Sequence, residues 1–281
     1  MEARTPAETL TYVAGIGLVK TLRKTPATLI LAFLGGAFIA FASGASNMAG
    51  FNLLANSETY GLGRLIVGMV FGGGLMLIIL AGGELFTGNC LLIVAVLERQ
   101  ISIKRMLQNL FLVYTGNFIG NLTIALMMFV SGLFNSSNGL LGGMTITIAV
   151  QKTSMTFLPA FILGLLCNWL VCLVVWASYA ARDLVGKILI IFFIILIFAV
   201  SNFEHSVANM YFIPAGIFAK QNPQWIAMAA VSAEQLANLN WITLFTKNLI
   251  PVTLGNLIGG SLFVGYLYWV SLRKGKLASS N

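Results

Sequence analysis

A short polar segment, residues 201–209, holds the residues of this chain that are best suited to chemistry inside a membrane. It carries the chain's single histidine, His205, beside Glu204, one of only eight acidic residues. Unbroken apolar runs flank it, over residues 188–200 and 210–218. Ionisable residues placed between such runs are costly in a bilayer and usually mark a functional site. The segment therefore predicts a functional site within the membrane.

The flanking runs indicate how this site is held. Residues 188–218 number 31, which exceeds the length of about 20 residues that an ordinary crossing helix needs. The 13 residues before the segment and the nine after it are each too short to cross alone. Non-helical backbone is tolerated at that depth where protein or a water-filled cavity satisfies it. We predict a crossing helix broken at Glu204 and His205; the alternative is an ordinary loop.

A second break is predicted in the apolar segment over residues 65–96, which is also too long for one helix. Residues 82–89, Gly-Gly-Glu-Leu-Phe-Thr-Gly-Asn, interrupt it, and glycine permits the backbone angles that a break requires. In both breaks a glutamate precedes an asparagine by five positions. We expect the two breaks to be related.

The composition predicts a polytopic membrane protein. The chain is 58% hydrophobic and 9% charged, whereas soluble domains are about 25% charged. The net charge of +8 is scattered between apolar spans, which argues against a nucleic-acid partner. Cys90, Cys167 and Cys172 lie within apolar runs and are predicted to be packing residues. One histidine and these cysteines form no ligand cluster, so we expect no metal and no cofactor.

The apolar runs fit six transmembrane helices, of which the second and fifth are broken. We predict a cytoplasmic N-terminal segment over residues 1–25, a transmembrane domain over 26–272 and a cytoplasmic tail over 273–281. This arrangement places 12 basic residues on the inner side and four on the outer, as expected for a cell membrane protein with both termini in the cytoplasm. The outer four are Arg64, Lys152, Lys220 and Lys247.

An internal repeat accompanies the matched breaks. Residues 109–122 and 248–261 are identical at seven of 14 aligned positions. Three crossings per repeat would invert one half, over residues 26–134, relative to the other, over 157–272. Inverted repeats with paired broken helices are typical of transporters and channels. The alternative is that the shared Gly-Asn pattern reflects ordinary close packing of helices.

Several side chains are candidates for the path of a solute. The half-helix N-termini at the breaks would suit a small anion, with the Thr87 hydroxyl facing the His205 imidazole. Lys152, in a predicted loop over residues 135–154, would attract anions, or is simply a solvated lysine. Lys20 would meet anions at the inner mouth, or is an ordinary topology signal.

Other candidates lie inside apolar runs. The polar ones would line the path or form interhelical hydrogen bonds; they are Asn89, Asn168 and Asn209. The apolar ones would form constrictions or belong to the core; they are Phe71, Leu75, Leu85 and Phe198. A different class, an intramembrane hydrolase with Ser201 or Ser206 as nucleophile and His205 as base, is disfavoured because sequence neighbours rarely present their side chains to each other. We therefore expect no enzyme.

Residues 83–89, 203–210, 167–173 and 250–256 resemble motifs of the formate–nitrite transporter family, in the same order and across nearly the whole chain. The resemblance implies an all-α, aquaporin-like fold and a homopentamer in the lipid bilayer with one pore per protomer. It implies passage of small monovalent anions or their conjugate acids: formate, nitrite or hydrosulfide. Residues 209–214 look more like the formate branch and residues 86–89 more like the others, so we rank formate first.

The resemblance also implies roles for residues. His205 would be the central histidine, which lends a proton or a hydrogen bond, and Thr87 its partner; a neutral imidazole that only shapes the pore is the alternative. Constrictions would be lined by Phe71, Leu75, Leu85 and Phe198. The anion's approach and the central site would be shaped by Lys152, Asn168, Glu204 and Asn209.

Overall fold

The computed structural model describes residues 2–278, and this part of the chain is helical, without strands. In chain order the α-helices are α1 Pro6–Leu22, α2 Thr25–Leu54, α3 Tyr60–Leu77, α4 Phe86–Asn89, α5 Leu92–Leu97, α6 Ile103–Val130, α7 Leu140–Thr153, α8 Phe157–Ala180, α9 Leu184–Val200, α10 Ser206–Ala219, α11 Pro223–Met228, α12 Ala233–Asn238, α13 Trp241–Thr243, α14 Ile250–Gly260 and α15 Leu267–Ala278. Segments of π-helix over Ile78–Gly82, Leu244–Leu249 and Ser261–Tyr266 extend α3 and join α13, α14 and α15.

Five continuous helical segments are long and apolar enough to cross a membrane: Thr25–Leu54, Tyr60–Gly82, Ile103–Val130, Phe157–Ala180 and Trp241–Arg273. The remaining apolar helices α9 and α10 have 17 and 14 residues, short of the roughly 20 that a crossing needs. The predicted all-α membrane class is confirmed. The sixth crossing stays a prediction, which α9 and α10 would make together.

Both predicted breaks are present. The first follows Gly82, whose φ of +97° is the left-handed conformation that glycine tolerates best. Residues 83–85 are then non-helical until α4 begins at Phe86. The second follows α9, passes through Asn202 at a φ of +56° and ends where α10 begins. Each break is therefore a short interruption of helical chain, as predicted.

The two halves of the chain pack in the same way, as an internal repeat would predict. Helix α2 packs closely on α6, and α8 packs equally closely on α14, while α3 and α9 meet across the two halves. The repeated sequence lies on α6 and α14, where glycines bring backbones together. A Cβ on Gly120 would clash with the carbonyl oxygen of Phe33, and a Cβ on Gly259 would clash with that of Leu165.

The loop predicted over residues 135–154 is mostly helix α7, so the prediction was wrong there. One face of α7 carries Leu141, Ile146, Ala149 and Val150, all buried, and α7 packs against α10. Periodic apolar residues of this kind stabilise a helix rather than a loop. Lys152 consequently lies in the last turn of a helix, not in a solvated loop.

The ends of the chain add two helical features. The predicted N-terminal segment contains α1, which begins with a capping box formed by Thr5 and Glu8. The last helix, α15, continues past the predicted boundary at residue 272 to Ala278. Met1, and residues 279–281 of the predicted tail, lie outside the described residues.

Candidate functional site

The two breaks meet at a hydrogen bond between Thr87 and His205. Thr87 Oγ1 lies 2.9 Å from His205 Nε2, and both residues are buried. Thr87 is the second residue of α4, and His205 is the N-cap of α10. The sequence predicted that these side chains would face each other if the repeats brought the breaks together, and the fold does so.

The contacts of His205 fix its tautomer. Its Nδ1 accepts a hydrogen bond of 3.0 Å from the backbone N–H of Ala208. A nitrogen that accepts carries no proton, so the neutral ring holds its proton on Nε2 and donates it to Thr87 Oγ1. The Thr87 hydroxyl proton is then left without an acceptor among the described residues. It is available to a hydrogen-bond acceptor in the path.

The second break is held closed by Asn256 of α14. Its Oδ1 accepts from the backbone N–H of Ser206 at 2.9 Å. Its Nδ2 donates to the carbonyl oxygens of Gly164 and Glu204, at 2.7 and 3.0 Å. One side chain thus satisfies two backbone groups that a broken helix would leave unpaired in a non-aqueous interior, and it ties them to the continuous helix α8.

The first break is held in the same way by Asn117 of α6. Its Oδ1 accepts from the N–H of Phe86 at 2.9 Å, and its Nδ2 donates to the carbonyl oxygens of Ala32 and Glu84, at 2.7 and 2.8 Å. The first N–H of each half-helix is therefore already bonded to an asparagine. That first N–H is therefore not available to an anion at either break.

A buried carboxylate lies beside each break. Around Glu84 we define the Lys20 cluster as Lys20, Arg23, Glu84, Asn89 and Asn109. Lys20 Nζ donates to Glu84 Oε2 at 2.9 Å and to Asn89 Oδ1 at 2.6 Å, and Arg23 donates to Glu84 Oε1. Asn89 Nδ2 donates to Glu84 Oε2 and to Asn109 Oδ1, each at 2.8 Å. Burial alone lowers the pKa of Lys20, but the nearby Glu84 carboxylate outweighs burial, so this pKa is raised.

Around Glu204 we define the Lys152 cluster as Lys152, Glu204, Asn209 and Asn248. Lys152 Nζ donates to Glu204 Oε1 at 2.8 Å. Asn209 Nδ2 donates to Glu204 Oε2 at 2.6 Å and to Asn248 Oδ1 at 2.7 Å. The two clusters match residue for residue, except that Glu84 has two cationic partners and Glu204 has one.

A cavity of about 390 Å³ lies on the Lys152 side of His205, and we call it the Lys152 vestibule. Its polar lining includes Arg64, Lys152, Asn202, Glu204, His205 and Asn209. Among its apolar lining are Phe71, Leu163, Phe198, Phe212 and Met228. The cavity therefore connects two basic side chains, Arg64 and Lys152, with the central histidine.

Two of the four predicted constriction residues lie at the inner end of this vestibule. The ring centroids of Phe71 and Phe198 are 5.7 Å apart, and that of Phe198 is 6.0 Å from the ring of His205. Both phenylalanines line the vestibule although they are largely buried. Leu75 and Leu85 are also buried, but they are not part of its wall.

The three predicted asparagines all form interhelical hydrogen bonds. Asn89 and Asn209 bind the glutamates of their breaks, whereas Asn168 of α8 donates to the carbonyl oxygens of Thr87 and Asn256, at 3.2 and 2.6 Å. Asn168 thus stabilises the backbone of Thr87 at the central site. The geometry does not support the hydrolase alternative, because both ring nitrogens of His205 are bonded elsewhere and Ser206 Oγ has no partner among the described residues.

Sequence reasoning missed the asparagines that organise the breaks and the second cation on Glu84. The asparagines are Asn109, Asn117, Asn248 and Asn256. The internal repeat carried the signal, because all four occupy identical positions in its two copies. Arg23 had no such signal, since its contact depends on where the end of α1 docks.

A sequence model of the formate/nitrite transporter family matches residues 7–270. The chain belongs to this family. It is therefore a multi-pass membrane protein of a channel and transporter family, and not an enzyme.

Relatives in the family resemble the chain over nearly their whole length. It is 36% identical over 271 residues to the formate channel FocA of Escherichia coli (strain K12), covering 94% of this chain and 93% of that protein. It is 37% identical over 276 residues to the formate channel BtFdhC of Bacillus thuringiensis, covering 96% of each.

Solved structures share the fold. A pentameric formate channel with formate bound matches with a TM-score of 0.78 at 36% identity, covering 88% of this chain and 97% of that one. An ion channel of the same family matches with a TM-score of 0.79 at 27% identity, covering 94% and 98%. The predicted fold class is confirmed by this likeness.

Proposed function

We propose that this protein carries formate across the cell membrane, as the anion or as its conjugate acid. The observation that carries the proposal is the buried Thr87–His205 pair, which lies at the end of a basic vestibule and between two matched ion-pair clusters. Relatives and a solved structure that are named formate channels support formate as the substrate.

Entry begins beside the two ion-pair clusters. Lys152 lines one vestibule and lies 13% exposed beside Glu204, while Lys20 lies at the other side of the central pair, beside Glu84. Cations in a low-dielectric cleft raise the local concentration of small anions. Because each lysine shares its charge with a glutamate, the anion is attracted without being held tightly.

The central pair then favours the neutral form of the substrate. A bare anion is costly near the middle of a bilayer, whereas its conjugate acid is not. The Nε2–H of His205 donates to Thr87, which leaves the Thr87 hydroxyl to donate to a substrate oxygen. Phe71 and Phe198 oppose passage of the charged form, and Leu75 and Leu85 would extend this apolar barrier beyond the vestibule. Asn168 holds the Thr87 carbonyl in place.

We further propose a homopentamer with one pore per protomer and both termini in the cytoplasm, which places the Lys152 vestibule on the outer side. In this arrangement residues 1–25 and 273–281 flank a transmembrane domain over 26–272. The pentameric relative supports the assembly. Native mass spectrometry of the detergent-purified protein tests it, and a dominant monomer or dimer would contradict it.

Flux into proteoliposomes tests the substrate. We expect formate, nitrite and hydrosulfide each to cross, with formate fastest when the three are compared at equal concentration. Protein-free liposomes give the background, and the Thr87→Val protein gives a matched control that lacks the central hydroxyl. Faster nitrite or hydrosulfide flux would reassign the substrate within the family, and no flux of any of the three would refute the proposal.

A further inference from the structure

Arg64 differs from the other cations that lie beside the breaks. The cations of the Lys20 cluster and of the Lys152 cluster each pair with a glutamate. Arg64 also lines the Lys152 vestibule, yet it forms no ion pair with a carboxylate within residues 2–278. It is therefore a vestibule cation whose charge no side-chain carboxylate offsets through direct contact.

The hydrogen bonds of Arg64 leave most of its donors unused. A guanidinium has five N–H donors in a rigid fork. Arg64 Nη2 donates to the carbonyl oxygen of Ala199, in the last turn of α9, which is the one acceptor that the described residues offer it. Its Nε is buried without any partner. The guanidinium is thus fixed in place at a helix C-terminus while donors remain free.

Arg64 lies further from His205 along the vestibule than the aromatic pair Phe71 and Phe198. Arg64 and Phe71 are seven residues apart on α3, so they lie on one face, about two turns apart. Phe71 contacts Phe198, the residue that precedes Ala199. A solute that enters from this side therefore meets Arg64 before the phenylalanine pair and His205.

The chemistry of this group selects a type of anion. A guanidinium binds planar anions with two oxygens on one edge through two parallel hydrogen bonds, whereas an ammonium acts as a point charge. We propose that Arg64 forms an anion-binding subsite of the Lys152 vestibule that prefers carboxylates such as formate over hydrosulfide, which has one heavy atom. This inference rests on the proposed transport of formate and adds where selection begins.

The internal repeat makes the proposed subsite one-sided. The matched spacing of the breaks relates positions in the first broken helix to positions 120 residues later in the second, as with Glu84 and Glu204. By this spacing Arg64 corresponds to Leu184, which is apolar and 59% exposed. The Lys20 side therefore has no counterpart of Arg64 at this position, and loss of the subsite affects entry from one face.

The test compares Arg64→Lys, which keeps the charge but loses the fork, with Arg64→Gln, which loses both. Lys247→Gln is the matched control, because it removes an exposed cation predicted on the same side but outside the vestibule. Flux is measured against formate and hydrosulfide concentration in right-side-out and inside-out membrane vesicles. Cysteine labelling at position 58, beside the vestibule mouth, assigns the face that each vesicle presents.

We expect Arg64→Lys to raise the half-saturating formate concentration about tenfold from the Lys152 side, the effect of losing one charge-assisted hydrogen bond. The half-saturating concentration of hydrosulfide from the Lys152 side stays within twofold of wild type. The half-saturating concentrations of both anions from the Lys20 side do so as well. Arg64→Gln raises the half-saturating concentrations of both formate and hydrosulfide from the Lys152 side. If Arg64 only supports the fold, both variants would instead lower the maximal flux equally for both anions and from both faces.

Failure of the subsite and failure of the proposed function are distinct outcomes. If the wild type transports formate and Arg64→Lys has the same half-saturating formate concentration, the subsite alone is overturned. If the wild type moves no formate, the subsite and the proposed function are both overturned. If neither variant assembles, the subsite is tested on the wild-type protein through inhibition of its formate uptake. From the Lys152 side acetate, a carboxylate, should then inhibit formate uptake at concentrations where chloride does not, and equal inhibition by the two overturns the subsite.

Discussion

Thr87 Oγ1 and His205 Nε2 lie 2.9 Å apart although 118 positions separate the residues in the chain. Each comes from the break of a different repeat, yet neither has an identical counterpart: Thr87 corresponds to Val207, and His205 corresponds to Leu85. The glutamates and asparagines around them do match between repeats. The repeats therefore share the residues that build the breaks and differ in those that meet at the centre.

Replacement of Thr87 by valine tests the central hydroxyl. Valine keeps the shape but leaves His205 Nε2–H without an acceptor and removes the hydroxyl that would face the substrate. We expect formate flux to fall about tenfold or more, as for the loss of a functional hydrogen bond. Thr145→Val is the control, because that buried hydroxyl bonds only within its own helix. Equal flux in the two variants would remove Thr87 from the path.

The unequal cation partners of the two glutamates predict unequal stability losses. Glu84→Gln leaves two partly buried cations without a carboxylate, whereas Glu204→Gln leaves one. Breaking a buried pair costs about 3 kcal/mol or more. We expect both variants to melt at lower temperature in detergent, and Glu84→Gln to lose more. The double variant Lys152→Met/Glu204→Gln should recover much of the loss, and a loss as large as that of the single variant would contradict the ion-pair account.

The asparagines that close the breaks are expected to be essential for folding. Asn256→Ala takes this partner from two buried backbone groups of the break, the Ser206 N–H and the Glu204 carbonyl, at about 1–3 kcal/mol each. Asn117→Ala does the same at the first break. We expect both proteins to elute as aggregates in size-exclusion chromatography. Asn121→Ala is the control one turn further along α6, because its single bond lies within that helix. Monodisperse Asn256→Ala protein would refute this role.

How much of this site the sequence predicts depends on the range of each interaction. Break positions follow from helix length and glycine, which are local properties, and the Thr87–His205 pair follows from the repeat. Lys152 was misplaced in a loop because its helix, α7, is defined by packing against α10 and not by a long apolar run. The contact of Arg23 comes from α1, which lies outside the repeats, and Arg64 has no matching residue in the second repeat, so the repeat indicates neither contact.

The proposed orientation is tested by labelling. Glu58→Cys lies in the exposed turn beside the Lys152 vestibule, and Arg273→Cys lies on α15. We expect a membrane-impermeant maleimide to label position 58, but not position 273, from outside intact cells. The three native cysteines are buried, which limits background. Labelling of both positions from outside would contradict cytoplasmic termini.

Replacement of His205 by phenylalanine tests whether this ring handles the proton. Phenylalanine keeps an aromatic ring beside Phe198 but has no titratable group. Free histidine has a pKa near 6.5, so histidine is the side chain suited to change charge near neutral pH. In this fold Nδ1 accepts from Ala208, so protonation of the ring must break that bond and provide Nδ1–H with a new acceptor. An anion that has reached the centre is such an acceptor.

We therefore expect His205→Phe to assemble like the wild type but to lose the step in formate flux that the wild type shows between roughly pH 5 and 8. Thr87→Val, which keeps the imidazole, should retain the step at lower flux. Both are measured in proteoliposomes with equal pH on the two sides, so that no proton gradient drives uptake. If His205→Phe keeps the wild-type profile, the imidazole serves only to shape the pore, and protonation of the substrate takes place elsewhere along the path.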